Sequence, residues 1–587
     1  MPVANFFTAV IEFLYRDRSI LTLTLTSLAI GLVYSLSLIG PTFIDPYSDY
    51  WRYLGHDQAQ AFIGLHYYLQ EPLGWPLFLA KNLGPQGANI VFTDSIPIIA
   101  LIGKLVCRFF VIPTPVFVIV WFVFCYCLSA LFAALVLREL CGRGMIYIII
   151  GAFAALTVPI FLFRIGHYSL LGQFLIIWSF YGYVLFTRRQ NYRIGLFHLY
   201  STIVFGLLIH GYFFAIVFGL FLVAVLQRKT KLRASHRFVF GVTAGGIGLT
   251  AVSLLVFGYI GAGSTLSAGG GYGMFSMNVL SPILPQISSI FPEFARIMGA
   301  SHHVCDVLDV NGKQLDAYNY LGAGFLVLLV LHAVLARSHI KDAIRANAWL
   351  SVLLVGFTLF AISTTVFFGP YVLVDMGLTG VKAIDYVINQ FRFSGRFFWP
   401  VTYILLFGLI SLTTIRFSRP VALAILLVCS VLQFIDTGQL RQGLVWHMSG
   451  QRNPFFADDG DLRALMARHE KIVVLPTIFC AIRTDSQTFD TYIALQMAAA
   501  ERATPINSYH AARCSFDCSA ERALTNAFPH EDPKTLYLYP TVPGWVDISR
   551  KLAEAPNCWE MSFGYVCSSS ISGLKNSRSP DMKYGHE

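Results

Sequence analysis

Long apolar runs alternate with short polar breaks along this chain, and the polar breaks differ in charge. Apolar stretches near residues 20–40, 114–137, 144–163, 170–187, 194–209, 212–226, 238–259, 320–336, 347–367, 398–415 and 420–436 predict eleven membrane-crossing helices. A hydrocarbon core of about 30 Å takes about 20 residues of helix. Residues 1–16 have helical apolar spacing but are too short to span. They end at Arg16, Asp17 and Arg18 with no small-residue cleavage site before the next run. That pattern predicts a cytoplasmic interfacial helix over 1–19, not a removed signal peptide. Residues 96–112 are apolar but broken by Lys104 and Arg108. They predict a helix lying in or dipping into the interface.

The basic clusters fall on one side of this map. They comprise Arg16/Arg18, Arg138/Arg143, Arg188/Arg189/Arg193, the run from Arg228 to Arg237, Arg337/Lys341/Arg345 and Arg416/Arg419. The positive-inside rule makes that side cytoplasmic. If residues 96–112 crossed fully, the later clusters would land outside. The opposite side then carries 41–113, 260–319, 368–397 and everything after about 437. The glycine-rich stretch 261–273 reads as a flexible loop. Residues 437–587 lose hydrophobicity and gain Asp, Glu, Pro and Ser. They predict a small mixed domain with helices at 459–469 and 485–502 and a strand at 471–476.

Composition supports the pattern. Of 587 residues, 56% are hydrophobic and only 13% charged, against about 25% charged in soluble globular proteins. A soluble enzyme is excluded, and 50 Phe with 28 Tyr exclude disorder. The +10 net charge is mostly topology and not a nucleic-acid surface. Of 11 Cys, six (Cys305, Cys480, Cys514, Cys518, Cys558, Cys567) lie on the outer side of this map. Placement in an oxidising compartment predicts disulfides, with Cys558–Cys567 and Cys514 paired to Cys518 or Cys480 as the expected bonds. A zinc site at Cys514/Cys518 lacks a second ligand pair.

No phosphate-binding loop, dinucleotide fingerprint, zinc-protease helix or nucleophile elbow occurs. Ionisable residues are scarce within spans and crowd at their outer ends. Four groups stand out. The first holds His56 and Asp57 after Gly55, where Asp57 reads as a helix N-cap or as a general base at the membrane surface. The second holds Asp94 before Pro97, again a cap or an acid, and leads to Lys104, which either snorkels or meets a lipid phosphate. The third is Arg164 and His167 in a short connection between spans. The fourth is Asn389, Gln390, Arg392 and Arg396 among aromatic residues ahead of an outer span end. Arginine is disfavoured there by topology, so phosphate recognition gives it a reason.

With those residues in view, the chain resembles the GT-C class of integral-membrane glycosyltransferases. Their layout has many spans, a long first extracytoplasmic loop with an essential acid and interface helices, and often a soluble C-terminal domain. The motifs GHDQAQ, VFTDSIPIIALIGK, RIGHYSLLGQ, YGMFSMNVLSP, FRFSGRFFWP and INSYHAAR also resemble an uncharacterised family of large bacterial membrane proteins. The resemblance implies a polytopic α-helical membrane protein with three parts. Residues 1–19 form a cytoplasmic interfacial helix, 20–436 a GT-C-like domain with 41–113 as its first periplasmic loop, and 437–587 a periplasmic C-terminal domain. It implies an inner-membrane enzyme with its N-terminus cytoplasmic and its C-terminus periplasmic. That enzyme moves a sugar, with inversion, from a polyprenyl-phosphate donor to a glycan or lipid-linked acceptor of the cell envelope.

Carried onto this chain, Asp57 matches the loop acid, with Asp94 as its rival. Arg392 and Arg396 hold the donor phosphate with Lys104 and Arg164 in support, while His56, His167 and Gln390 contact substrate. The chain departs from the class where many members pair two acids, since His56 precedes Asp57. No acidic cluster demands a metal, although some members of the class use a divalent one; no other cofactor is implied. Two further readings belong to different classes. A transporter or flippase of lipid-linked glycans calls for charge inside spans or an internal repeat, and neither occurs. A non-catalytic polysaccharide-assembly protein would leave Asp57 dispensable.

Overall fold

The computed structural model of the chain describes residues 20–142, 145–164, 166–188, 192–260, 272–291, 308, 317–449, 460–481, 486–512, 517–530, 532–542, 545 and 548–570. The expected N-terminal helix, the glycine-rich residues 261–271, Cys305 and Cys514 lie outside them. Helices dominate. In chain order they include α1 (Ile20–Leu36), α2 (His56–Gln70), α3 (Pro97–Val106), α4 (Thr114–Cys141), α5 (Met145–Leu156), α6 (Phe174–Arg188), α7 (Tyr192–Ile209), α8 (Gly211–Leu232) and α9 (His236–Val256). The second half continues with α10 (Ala323–Leu335), α11 (Arg337–Ala346), α12 (Ala348–Ile362), α13 (Lys382–Asn389), α14 (Trp399–Arg416), α15 (Arg419–Asp436) and α16 (Ser486–Ala500).

Among the described residues seven helices are long and apolar enough to cross a membrane, or eight if the bent pair α10–α11 is one span. The chain is thus a multi-pass membrane protein. The remaining expected spans are occupied by shorter helices: α1 has 17 residues, α5 has 12, α10 has 13 and α12 has 15. The ten residues of α3 rise about 15 Å, roughly half a hydrocarbon core, so α3 is no span. Between α10 and α11 the chain turns by 99°. α11 buries no residue and carries Arg337, Lys341 and Arg345, the composition of a helix lying at a membrane surface.

Local chemistry sets the helix starts. Ser235 accepts the Phe238 N–H at 3.2 Å ahead of α9, and proline stands in the first turn of α4 and α15, where its missing N–H costs nothing. Small residues let helices approach. A Cβ on Gly195 of α7 would fall 2.5 Å from the Phe186 backbone nitrogen of α6, and one on Gly324 of α10 would fall 2.0 Å from the Cys429 carbonyl of α15. Larger side chains at either position would force the pairs apart.

A hairpin, β1 (Thr365–Phe368) and β2 (Tyr371–Asp375), follows α12. Near the C-terminus β3 (Lys471–Val474), β4 (Thr535–Pro540), β5 (Cys558–Met561) and β6 (Gly564–Cys567) form a sheet in the order β3-β4-β6-β5, with β3 and β4 parallel. Disulfides join Cys480 to Cys518 and Cys558 to Cys567. The first corrects the expectation that Cys514 takes one of those partners: the close sequence spacing of Cys514 and Cys518 misled, because folding sets Cys480 beside Cys518.

This C-terminal region is stitched to the first loop. Tyr67 of α2 donates to the Thr504 carbonyl at 2.6 Å. Residues 506–512 run along 82–92, with backbone bonds from Ile506 N–H to Asn82, from Gly84 N–H to Ile506 and from Ala512 N–H to Phe92. That seam carries the chain past Tyr509 to His510, at the edge of the cavity described next.

Candidate functional site

A cavity of about 350 Å³ opens where the first loop, the α7–α8 turn, the segment before α14 and the C-terminal seam meet. Asp57, Asp94, His167, Gln390, Arg392 and Arg396 all line it. Segments far apart in sequence therefore converge on one site.

Asp57 occupies the second position of α2, whose cap is Gly55 with no side-chain bond to it. The N-cap reading is corrected: Asp57 sits inside the first turn, where a carboxylate suits the positive helix end. Its Oδ2 stands 3.3 Å from His167 Nδ1, with the Asp57 side chain 42% exposed. A carboxylate on Nδ1 fixes ring orientation and the proton's position.

Asp94 is not a cap either, because α3 begins at Pro97 with Ile96 in the cap position. Its Oδ1 faces His210 Nε2 at 3.3 Å. The Tyr212 N–H donates to His210 Nδ1 at 3.1 Å. That bond occupies the Nδ1 lone pair, so the neutral ring carries its proton on Nε2 and donates it to Asp94. Burial pushes the Asp94 carboxyl up; His210, then His167 and Arg396, outweigh it and hold the carboxyl below its ordinary range. The backbone here is strained. His56, Asp94 and Ile96 all have φ near +50°, which a β-branched residue such as Ile96 adopts only under constraint from its surroundings.

The cationic wall comes from the segment leading into α14. Arg396 is buried, with its guanidinium carbon 4.1 Å from the Phe393 ring centroid and 4.9 Å from that of Tyr212. Its Nε has no hydrogen-bond partner among the described residues. Arg392 is half-buried, 5.1 Å from the same Phe393 ring. Gln390 Nε2 donates to the Tyr386 carbonyl, and Asn389 and Tyr386 line the cavity beside it. A buried guanidinium facing a cavity with an unsatisfied N–H suits an anionic ligand with planar or tetrahedral oxygens.

Two lining residues escape the sequence reading. His210 sits in what reads as a plain turn between spans. His510 reaches the cavity from the C-terminal seam, within the motif INSYHAAR. It stacks near Phe479 and lies edge-on to Phe489, and its Nδ1 is buried without a partner among the described residues. Burial lowers its pKa, opposed by Asp57 and Asp94 and reinforced by Arg392 and His56.

Three expected site residues stand elsewhere. Lys104 is buried with Nζ 3.6 Å from the Tyr68 ring centroid and 3.5 Å from the Pro72 carbonyl, a cation–π berth away from the cavity lining. Arg164 is buried between the Phe163 and Trp399 rings, 5.2 and 5.4 Å from their centroids. His56 stacks on Phe489 and stands 3.7 Å from Asp490, joining α2 to α16. Among the described residues no group of three or more His, Cys, Asp or Glu is arranged to hold a metal ion.

A family model described as a domain of unknown function (DUF6311) matches residues 28–438, and a second, described as the DUF6311 C-terminal domain, matches residues 461–569. No curated protein matches the chain.

Proposed function

The chain belongs to the DUF6311 family, and we propose that it is an inverting glycosyltransferase of the GT-C type, using a polyprenyl-phosphate-linked sugar as donor. The observation that carries this reading is the meeting of two carboxylate–histidine pairs with a buried arginine at one cavity. Each part has a task. Asp57, the more exposed carboxylate, takes the proton of the acceptor hydroxyl. The hydroxyl oxygen bonds to the anomeric carbon as the bond from that carbon to the phosphate oxygen breaks on the opposite face. The phosphate leaves on its lipid with the charge it gains held by Arg396 and Arg392. Asp94, fixed by His210, presents negative charge to the positive charge that develops on the sugar ring.

In this reading all eleven apolar segments cross an inner membrane, the shorter helices together with the residues that flank them. The N-terminus is cytoplasmic and the cavity and C-terminal region are periplasmic, where the two disulfides suit an oxidising compartment. The acceptor is a glycan or lipid-linked glycan of the cell envelope. The test is transfer of radiolabelled sugar from a panel of synthetic polyprenyl-phosphate sugars by protein in nanodiscs. Product of inverted anomeric configuration supports the reading. A panel that yields no product, while cells carrying Asp57→Asn keep a normal envelope glycan, overturns it.

A further inference from the structure

The segment between α12 and α14 has the wrong surface for water. From Pro370 to Ile384 every residue is exposed. A hairpin lying on a protein in water alternates apolar and polar faces, yet Tyr371, Val372, Leu373 and Val374 of β2 run consecutively, with Leu373 60% exposed. Met376, Leu378 and Val381 prolong the apolar surface. Monomers in water rarely expose so contiguous a patch.

The patch follows an exposed apolar stripe on the preceding helix. Trp349, Val352, Val355 and Leu359 of α12 recur at helical spacing and are all exposed, and the chain leaves α12 directly into β1. The other strand of the hairpin is anchored inward. Asn278 Nδ2 donates to the Gly369 carbonyl at 2.8 Å, and the Gly369 N–H returns to Asn278 Oδ1 at 3.0 Å. Val279 N–H binds the Phe367 carbonyl. One strand is thus tied to the protein while β2 stands away from it. Beyond the hairpin, Asp385 caps the turn by accepting from Thr379 and Gly380. α13 then divides its surface: Ile384 and Val387 face outward, while Tyr386 and Asn389 line the cavity.

We propose that residues 370–387 form a strap inserted into the lipid leaflet on the cavity's side, with α13 as the wall between that leaflet and the cavity. Bilayer lipid, and not a partner protein, is the occupant, because the patch follows directly on the exposed apolar stripe of α12, a helix this reading sets in the bilayer. Penetration is shallow. The outer edge of β2 presents backbone groups that only water or headgroups can satisfy at this site, which places the strap at the headgroup–acyl boundary, about 5–10 Å deep for such elements. That a lipid-tailed donor reaches the cavity past α13 rests on the function proposed above; the insertion itself does not.

The test is spin-label depth measurement on full-length protein in lipid nanodiscs, with no substrate present. Leu373→Cys carries the label, Lys534→Cys serves as the aqueous control, and signal from native thiols is subtracted using the unsubstituted chain. Insertion predicts that oxygen relaxes the Leu373 label more than a water-soluble nickel chelate does, with the order reversed at Lys534. A Leu373 label relaxed mainly by nickel places the strap in water and overturns the proposal. A label shielded from both reagents places protein over it and overturns it equally. If Leu373→Cys fails to fold, Val372→Cys gives the same reading from the other face of β2.

Discussion

Asp57 Oδ2 meets His167 Nδ1 at 3.3 Å, although one residue opens a helix of the first loop and the other closes a short connection between two spans. The contact places a ring nitrogen beside the carboxylate and orients the imidazole. A second acid–histidine pair, Asp94 with His210, repeats the arrangement on the same cavity. The two acids differ in exposure, 42% against 23% for their side chains. In the proposed mechanism the more accessible acid serves the acceptor hydroxyl and the more enclosed one the sugar.

Arg396 sets the donor phosphate in this scheme. Arg396→Ala is expected to raise the donor KM by about ten- to a hundredfold, since hydrogen bonds to charged groups contribute about 1.5–3 kcal/mol. Arg396→Lys should fall between, because lysine keeps the charge and loses the guanidinium fork. Steady-state kinetics with varied donor check it. A donor KM unchanged in both variants takes phosphate binding away from this residue.

Asp94 makes acid stability diagnostic. Its folded pKa is depressed, so the stabilisation it provides is present above the unfolded value of about 3.9. It is lost as pH falls through the lower folded value. Asp94→Asn should therefore melt below the native protein at about pH 7, with the gap closing towards about pH 3. Thermal unfolding in detergent across that range reads it. A gap constant with pH assigns the effect to packing.

Much of this layout is legible in the chain because span-length apolar runs and one-sided basic clusters follow from the bilayer itself. The long apolar helices among the described residues fall where the pattern predicts, and six of the expected site residues share one cavity. The cap assignment of Asp94 fails because an acid ahead of a proline looks the same whether it faces its own helix or a histidine on a distant turn, and that of Asp57 fails because the helix starts one residue earlier, at His56. Charge at an interface suggests a phosphate ligand at Lys104 and the family resemblance suggests one at Arg164, but Tyr68 and Trp399, brought in by the fold, give both cations aromatic faces instead. His210 carried no local signal. His510 had one, the INSYHAAR motif, yet only the backbone pairing of residues 506–512 with 82–92 brings it to the cavity.

The disulfides test the side assignment. Non-reducing peptide mass spectrometry on protein from membranes should find Cys480 joined to Cys518 and Cys558 to Cys567, and a periplasm-only reporter fused after residue 587 should be active. Free thiols at all four positions together with activity from a cytoplasm-only reporter would reverse the orientation.

The most direct measurement is sugar transfer by Asp57→Asn in nanodiscs, at matched expression and with donor saturating. Asparagine keeps the shape and an oxygen towards His167 but cannot take a proton. General-base contributions are about 10²–10⁴-fold, so the account predicts a loss of kcat in that range with thermal unfolding and donor binding near native. Transfer at the native rate by Asp57→Asn would contradict it.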